Sequence, residues 1–325
     1  MRSILVSRFG GPEVLEVATR PDPTPAGGEI LIEVHSAGVN PVDTYIRSGA
    51  YAMLPELPFT PGWDGAGVVL AVGGGVTTVA VGQRVYFSGT AAGRAVGSYA
   101  ELAVCRPEQV FALPDRVSFD QGAAIGVPYA TAYRALFQRG KAQSGQWVLI
   151  HGASGAVGTA AVQLARAGGM TVIGTAGTEA GVALVLAQGA HHAVRHATPE
   201  TAAEISRLTS GRGVDVIIEM LANRNLDTDL GLIARQGRIV IVGNRGRIEI
   251  DPRQTMARES SIVGMSLWHT TDDELRDIHL GLGAGLVSGS LTPVVGRRFG
   301  LEQVAEAHRE VMVGGAGGKI VLTMR

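Results

Sequence analysis

The chain has 325 residues, of which 46% are apolar, so it is long enough for two domains with full cores. Its 28 basic and 29 acidic residues nearly cancel without long runs of one sign, which argues against nucleic acid or an anionic membrane as the main partner. The single cysteine, Cys105, excludes an internal disulfide and a cysteine-rich zinc module, and the lack of a leader pattern or a long apolar run predicts a cytoplasmic protein.

The first part of the chain, residues 1–122, is predicted to be rich in β-strands. Short β-branched runs alternate there with glycine and proline clusters, a pattern typical of a small barrel or sandwich. The clearest runs are Ser3–Phe9, Glu29–His35, Ala66–Val72 and Gln83–Phe87.

The second part, residues 123–267, alternates strands with helices, which predicts a doubly wound parallel sheet. Predicted strands lie at 147–150, 170–175, 192–195, 214–219, 238–242 and 261–267. Predicted helices lie at 159–166, 178–188, 199–209 and 225–235.

The third part, residues 268–325, contains two predicted helices, 272–287 and 301–313, and one closing strand, 319–323. A lone C-terminal strand needs a sheet to join. We therefore predict that it returns to the N-terminal β domain, which makes 123–267 an inserted domain and leaves a cleft between the two.

A glycine turn between the first strand and helix of the inserted domain predicts a dinucleotide site. Ala153 holds the first position of the usual G-x-G-x-x-G pattern, and Gly155 and Gly158 supply the other two. Such a turn directs backbone N–H groups and a helix N-terminus at a pyrophosphate. The alternative is a tight strand-to-helix connection without a ligand.

The end of the next strand predicts which dinucleotide is bound. NAD enzymes usually place an acidic residue there for the ribose hydroxyls, whereas residues 175–178 contain no carboxylate. We therefore predict NADPH, with Gly177 allowing close approach of the 2′-phosphate and Arg195 or His196 as donors. The alternative is that residues 175–178 form an ordinary loop that does not discriminate between the two nucleotides.

Two further stretches are candidate contacts. Gly243, Asn244 and Arg245 follow a later strand, at the sheet edge where ligands bind, although Arg245 could equally be a solvated loop charge. In the N-terminal domain, Asn40–Tyr51 offers an amide, a carboxylate and two tyrosines, which suit either a carbonyl-bearing substrate or a packed loop.

Several stretches carry a likeness beyond these single motifs: Gly38–Gly49, Gln121–Arg134, His151–Gly158, Gly174–Glu179, Glu219–Asn223 and Gly317–Leu322. Together they resemble the zeta-crystallin-like NADPH:quinone oxidoreductases, a zinc-free branch of the medium-chain dehydrogenase/reductase superfamily. The resemblance implies a GroES-like β-rich catalytic domain (1–122 and 268–325), an inserted Rossmann domain (123–267), and homodimers or homotetramers joined through the nucleotide domains.

The resemblance also implies site residues. Substrate would lie against Asn40, Tyr45 and Tyr51, with Tyr129 close by. NADPH would contact Tyr45, Ser154, Gly155, Ala156, Val157, Gly177, His196, Asn225, Val242, Gly243, Asn244, Arg245, Met265, Ser266 and Leu267.

Three departures from relatives bear on the chemistry. Asn40 and the stretch Pro61–Gly65 stand where the zinc enzymes of the superfamily use Cys and Gly-His-Glu, so we expect no metal. The loop 89–97 looks longer than in the family, and Trp63 replaces a small residue; both bear on the size of the substrate.

The resulting hypothesis is an NADPH-dependent reductase that acts on small quinones without metal. Asn40 and Tyr45 would hold the developing phenolate, and solvent or Tyr51 would deliver the proton. The alternatives are an NADPH-dependent reductase of enones or other activated alkenes, and an RNA-binding or structural, crystallin-like role. The neutral charge argues against RNA as the main partner.

Overall fold

The computed structural model describes residues 1–90, 96–196, 198 and 200–324. The chain divides into two units, residues 1–128 with 275–325, and residues 129–274. We call them the catalytic unit and the nucleotide unit. The limits predicted from sequence, 122/123 and 267/268, fall a few residues before these positions.

The strands of the described residues are β1 (Arg2–Leu5), β2 (Glu16–Thr19), β3 (Ile30–Val39), β4 (Asp64–Val72), β5 (Arg84–Ser88), β6 (Leu102–Cys105), β7 (Val110–Ala112), β8 (Trp147–Ile150), β9 (Thr171–Ala176), β10 (His192–Arg195), β11 (Val214–Glu219), β12 (Ile233–Ile241), β13 (Ser261–Gly264), β14 (Val295–Gly300) and β15 (Lys319–Thr323). The α-helices are α1 (Pro41–Arg47), α2 (Phe119–Gly122), α3 (Gly126–Tyr133), α4 (Ala156–Ala167), α5 (Glu179–Ala187), α6 (Thr201–Leu208), α7 (Ala222–Leu232), α8 (Arg253–Arg258), α9 (Asp272–Ser288) and α10 (Val304–Val313).

The catalytic unit is built on one mixed sheet with the strand order β14-β15-β3-β4-β5-β7, and β6 also pairs with β3. Strand β15 runs antiparallel to β3, with Ile320 opposite Val39, so the C-terminal strand returns to the N-terminal sheet. Alternate apolar residues of β3, including Ile30 and Ile32, point into a continuous core that also contains Ile320 and Leu322. This sheet holds the ends of β3, β4 and β15 together.

The nucleotide unit contains a six-stranded parallel sheet in the order β10-β9-β8-β11-β12-β13. Because β8 is the first of these strands in the chain, this is the 3-2-1-4-5-6 order of a Rossmann domain. Such sheets bind ligands at the carboxyl ends of the strands, at the point where the order reverses, here between β8 and β11. The predicted α/β class, with a doubly wound sheet inserted into a β-rich domain, is confirmed.

Some elements differ from their predicted limits. Residues 225–235 were expected to be helical throughout, but α7 ends at Leu232 and β12 begins at Ile233, because the β-branched Ile233 lies buried in the core of the sheet. The stretch Asn40–Tyr51 contains α1. Of the loop 89–97, residues 91–95 lie outside the described residues, as does Pro199 at the start of a predicted helix.

Candidate active site

Three polar side chains meet where β3 ends and where β4 and β15 begin. In the sheet register, Gly38 lies opposite both Asp64 and Val321, which brings Asn40, Asp64 and Lys319 to one place. All three are almost fully buried, with exposures of 3%, 0% and 2%. A side chain at Gly38 could not be accommodated, since a Cβ atom there would lie 2.3 Å from the Ala123 carbonyl oxygen.

The side chains of this triad bond one another. The Lys319 ammonium donates to Asp64 Oδ2 at 3.0 Å and to Asn40 Oδ1, and Asn40 Nδ2 donates to Asp64 Oδ2 at 2.9 Å. The second Asp64 oxygen accepts the Val127 backbone N–H at 2.7 Å. Both polar atoms of the Asn40 amide are thus used within the triad.

Helix α1 follows directly and places a second buried carboxylate beside the triad. Asn40 is its N-cap, Pro41 its first residue and Asp43 its third, and the Asn40 backbone N–H donates to Asp43 Oδ2 at 2.7 Å. This is half of a capping box, with proline at the position that needs no N–H donor. Asp43 is 2% exposed.

A chain of side chains from distant parts of the sequence ends on the same Asp43 oxygen. The Tyr99 hydroxyl donates to Asp43 Oδ2 at 3.0 Å, His308 Nε2 lies 3.3 Å from that hydroxyl, and Arg47 Nη1 lies 3.2 Å from His308 Nδ1. An arginine can only donate, so His308 Nδ1 accepts and its Nε2 carries the proton. Every bond in this chain therefore points towards Asp43.

Burial sets the protonation states of these groups. It raises the pKa of Asp43 to about 7, although the Asn40 N–H, the Lys319 charge and the Tyr99 hydroxyl all favour the carboxylate. Burial and the neighbouring Arg47 lower the pKa of His308 to about 3, so its imidazole is neutral at pH 7.

Asp43 also lines a cavity of about 180 Å³ within the catalytic unit. The other lining residues are mainly apolar or aromatic: Ile46, Tyr51, Met53, Leu54, Pro55, Phe59, Pro61, Gly62 and Trp63. A cavity of this size admits a single small ring, since sites for larger ligands are several-fold bigger.

The tyrosines predicted to contact substrate lie in different surroundings. Tyr51 lines the cavity, whereas Tyr45 lies on α1, half-buried, outside the set of lining residues. The Tyr129 hydroxyl is buried in the nucleotide unit and donates to Gln163 Oε1 on α4 at 2.8 Å.

In the nucleotide unit, the glycine turn joins β8 to α4. Gly152 has a φ of +58°, Gly155 is the N-cap of α4, and the helix begins at Ala156. A Cβ atom at Gly158 would lie 2.3 Å from the Gly152 carbonyl oxygen, so only glycine allows the helix to approach the turn this closely. Ser154, Gly155, Ala156 and Val157 are all at least partly exposed at this helix N-terminus, where an anion is favoured.

At the end of β9, two basic side chains flank Gly177. Arg195 Nη2 donates to the Gly177 carbonyl oxygen at 3.3 Å, and the His196 ring lies 3.0 Å from where a Gly177 Cβ would be. Burial and the nearby His151 and Arg195 charges lower the pKa of His196. At neutral pH His196 is therefore a neutral hydrogen-bonding group at this strand end, and Arg195 is the cationic one.

An ionic cluster lies at the carboxyl ends of β8 and β11. His151 Nε2 is 2.8 Å from Asp229 Oδ1 and 3.5 Å from Glu219 Oε2, and Asn225 Nδ2 donates to both Glu219 oxygens. Although burial disfavours a charged imidazole, the two carboxylates together raise the pKa of His151. Burial raises the pKa of Glu219 to about 7.

The remaining predicted cofactor residues follow β12 and β13 at the same edge of the sheet. The Val242 N–H donates to the Glu219 carbonyl oxygen at 2.8 Å. The Met265 N–H donates to the Ile241 carbonyl oxygen at 3.1 Å. The Asn223 side chain accepts the Arg245 N–H, and Asn244 Nδ2 donates to the Gly246 carbonyl. Ser266 is half-buried and Leu267 buried.

Comparison with known proteins identifies the family. Residues 26–115 match the alcohol dehydrogenase GroES-like domain, and residues 156–279 match the zinc-binding dehydrogenase model. The human quinone oxidoreductase is 48% identical over 328 residues, which covers 100% of this chain and 98% of that protein. The chain belongs to the quinone oxidoreductase family. It is an oxidoreductase with a GroES-like domain and a Rossmann domain.

Two solved structures extend the comparison. The Escherichia coli quinone oxidoreductase, in complex with NADPH, is 28% identical with a TM-score of 0.88 and covers 99% of this chain and 100% of its own. The CurK enoyl reductase is 26% identical with a TM-score of 0.86 and covers 100% and 99%. The fold is thus similar both to a quinone oxidoreductase and to an enoyl reductase.

Because one matching model describes zinc-binding dehydrogenases, the next question is whether the residues of the triad fit a zinc ion. At the triad, the Lys319 side-chain nitrogen already bonds to Asn40 Oδ1 and Asp64 Oδ2, so these oxygen atoms are not free to bind a metal ion. The only thiol, Cys105, is buried in β6, and burial raises its pKa. The residues at this position do not fit zinc.

Sequence reasoning missed several polar residues of the site. The Asp43 carboxylate was among the candidate contacts of Asn40–Tyr51, but α1 was not predicted, although the capping pattern Asn40-Pro41-x-Asp43 signals the start of a helix. For Lys319, the one available signal was its rarity, because the chain has only one other lysine, Lys141. Tyr99 and His308 carry no local signal at all.

Proposed function

We propose that this member of the family reduces small quinones with NADPH and without metal. The observation that carries the proposal is the 180 Å³ cavity, whose mainly apolar lining includes the aromatic residues Tyr51, Phe59 and Trp63 and the acidic residue Asp43. A flat ring that bears carbonyl groups matches such a wall in shape and polarity. The name of the 48%-identical human relative supports the same substrate class.

In this proposal the nucleotide unit holds NADPH, which when bound supplies a hydride to the substrate. The N-terminus of α4 binds the pyrophosphate through the backbone N–H groups of 154–157. Arg195 and His196 bind the 2′-phosphate beside Gly177, and Val242–Arg245 and Met265–Leu267 supply contacts at the ends of β12 and β13. Asn225 has an indirect role at the nucleotide site, because its amide donates a hydrogen bond to Glu219 and so positions that side chain.

The catalytic unit holds the quinone and excludes water from it. The rings around the cavity bind the substrate face, and the Tyr51 hydroxyl binds its oxygens as negative charge develops. Tyr45, which lies outside the lining, is assigned to NADPH. We assign Asn40 a positioning role through Asp64 and Lys319, since its amide atoms are already bonded, and Tyr129 a positioning role on α4 through Gln163.

The test is steady-state oxidation of NADPH and of NADH against a panel of one-ring and fused-ring quinones, with an enone series beside it. We expect turnover with one-ring quinones and a kcat/KM for NADPH that exceeds the value for NADH. Absence of quinone turnover with either nucleotide would contradict the proposal.

Reduction of enones or other activated alkenes is the second candidate, favoured by the structural likeness to the CurK enoyl reductase. It needs the same nucleotide and a cavity of similar polarity. Turnover of an enone with a kcat/KM above that of every quinone would place it first.

An RNA-binding role has less support from the described surface. A depression of about 580 Å³ in the nucleotide unit is lined by Arg212, Arg235 and Arg258, but each already bonds within the unit and the lining contains no aromatic ring. Binding of single-stranded RNA usually needs aromatic side chains for base stacking.

We also propose that copies associate through the nucleotide unit. Strand β13 lies at an edge of the parallel sheet, its outer side pairs with no described strand, and Ile262 on it is 36% exposed. In light scattering, Ile262→Arg should yield a smaller particle, whereas Leu280→Arg, at an exposed site on α9, should not. An unchanged mass in both variants would contradict this interface.

No helix in the described part of the chain is long and apolar enough to cross a membrane. A cytoplasmic location remains a proposal, and it fits a chain whose one thiol can form no internal disulfide.

A further inference from the structure

The two oxygens of the Asp43 carboxyl group differ in their hydrogen bonding. Oδ2 accepts two bonds, from the Asn40 N–H at 2.7 Å and from the Tyr99 hydroxyl at 3.0 Å. Oδ1 is buried and has no partner among the described residues. Asp43 is also among the residues that line the cavity, and Oδ1 is its oxygen with unused hydrogen-bonding capacity.

This asymmetry decides where a proton on Asp43 resides. Two donors point at Oδ2, and the Tyr99 donor is itself held in place by the neutral His308 and by Arg47. A proton on Oδ2 would face those donors, whereas a proton on Oδ1 faces none of them. The protonated form of Asp43 therefore carries its proton on Oδ1.

The charged groups around Asp43 keep the proton available near neutral pH. Burial favours the protonated form, the Asp64 carboxylate adds to this, and the Lys319 ammonium opposes it. The other titratable groups that face Asp43 are Tyr99 and, behind it, His308 with Arg47. The pKa of Asp43, about 7, suits an acid that must be protonated before turnover and deprotonated after it.

We propose that Asp43 is the general acid of the reaction and delivers the proton from Oδ1 to the substrate oxygen. The inference rests on the proposed quinone reduction. The quinone gains a hydride as the C–H bond of NADPH breaks, and one substrate oxygen takes up the negative charge. That oxygen then forms an O–H bond as the Oδ1–H bond of Asp43 breaks, which leaves a hydroquinone, NADP⁺ and an Asp43 carboxylate.

The carboxylate left behind is stabilised and can recover its proton. The Asn40 N–H, the Tyr99 hydroxyl and the nearby Lys319 ammonium all favour the charged form. Met53 and Leu54 in the cavity lining are 49% and 44% exposed, so water reaches the cavity once the product has left. In the proposed cycle, solvent returns a proton to Asp43 after the product has left.

The principal test is Asp43→Asn, measured as kcat against pH with NADPH and a one-ring quinone. Asparagine keeps an oxygen that can accept from the Asn40 N–H and Tyr99 but has no proton to transfer. In the wild type, kcat should be constant at low pH, fall as pH rises through about 7, and show a solvent deuterium isotope effect. In Asp43→Asn, kcat should fall about 10²-fold, with loss of both the pH-dependent limb and the isotope effect.

A second variant keeps the proposal testable if Asp43→Asn fails to fold. Tyr99→Phe retains the ring but removes one donor to Oδ2, so the Asp43 carboxylate is less stabilised and the kinetic pKa should rise. Tyr51→Phe should leave the pH at which kcat falls unchanged, because Tyr51 is not the proton donor in this scheme.

The outcomes separate this inference from the proposed function. A wild type that oxidises no NADPH with any quinone contradicts the function itself. If the wild type is active, three results would overturn the role of Asp43. The fall in kcat with rising pH could persist in Asp43→Asn, its midpoint could stay unchanged in Tyr99→Phe, or the fall could disappear in Tyr51→Phe.

Discussion

Lys319 Nζ lies 3.0 Å from Asp64 Oδ2, although the two residues are 255 positions apart in the chain. Both are buried at the meeting point of three strands of the catalytic unit. This ion pair places the Lys319 ammonium beside the Asn40 amide, so the buried Asp64 carboxylate has its counter-charge within the chain.

Removal of the ammonium alone should destabilise the catalytic unit strongly. Lys319→Met leaves the Asp64 carboxylate buried without its cation, and we expect a loss of about 3–5 kcal/mol in the free energy of unfolding. The double variant Lys319→Met/Asp64→Asn should recover much of that loss. A double variant at least as unstable as the single one would contradict this account of the pair.

Tryptophan fluorescence can report on the catalytic unit alone. Trp63 is its only tryptophan, since Trp147 and Trp268 both belong to the nucleotide unit. Urea unfolding in a Trp147→Phe/Trp268→Phe background therefore assigns the change to the correct unit.

Substrate size should depend on Trp63. Trp63→Ala enlarges the cavity, so kcat/KM for fused-ring quinones should rise, while KM for a one-ring quinone should increase about tenfold through lost contact. Trp63→Phe should give intermediate values. Equal effects on large and small quinones would indicate that Trp63 does not limit the cavity.

Nucleotide preference should depend on Arg195 and His196. Each charge-assisted bond to a 2′-phosphate contributes about 1.5 kcal/mol, so Arg195→Gln should lower kcat/KM for NADPH roughly tenfold and leave that for NADH nearly unchanged. His196→Gln should act in the same direction. Arg166→Gln, an exposed arginine at the end of α4, serves as the control and should change neither value.

The stability of the nucleotide unit should depend on pH through Glu219. Its pKa is about 7 in the folded protein and 4.5 unperturbed, so the folded state holds a proton that the unfolded state releases between these values. The stabilisation is complete below about pH 4.5 and is lost as pH rises through about 7.

Glu219→Gln tests this dependence because it mimics the protonated side chain at every pH. The variant should match the wild type in thermal unfolding at about pH 4.5 and exceed it at about pH 8. Glu204→Gln, on an exposed face of α6, should leave the pH dependence intact. If the thermal unfolding temperatures of the wild type and of Glu219→Gln change with pH in parallel, the pH dependence does not come from Glu219.

Local patterns in the sequence were enough to predict most of the nucleotide unit. The strands predicted at 192–195 and 214–219 have the observed limits, and the glycine turn at 152–158 does join a strand to a helix. Elements that follow one another in the chain also pack next to one another in such a domain. Each has its own hydrophobic periodicity, and glycines follow several of them, so each can be predicted from nearby residues alone. The family resemblance could also be predicted from sequence, because its motifs are short and local, and the comparison with the human relative confirmed it.

The catalytic unit depended more on contacts between distant residues. The return of β15 to the N-terminal domain could be predicted, because an unpaired strand needs a sheet to join, but its partner strand β3 and its register could not. That register brings Lys319 to Asn40 and Asp64. The α1 helix was overlooked because its seven residues are too few to show a helical period.

By itself, the sequence determined the fold class, the nucleotide turn and the absence of a cysteine-based zinc site, because each depends on residues close together in the chain. Only the tertiary structure decided which polar groups share the interior of the catalytic unit. Tyr99 is 56 residues from Asp43, and His308 is 209 residues from Tyr99. Burial and pairing then set the pKa of Asp43, and both are properties of the packed neighbourhood rather than of the residue.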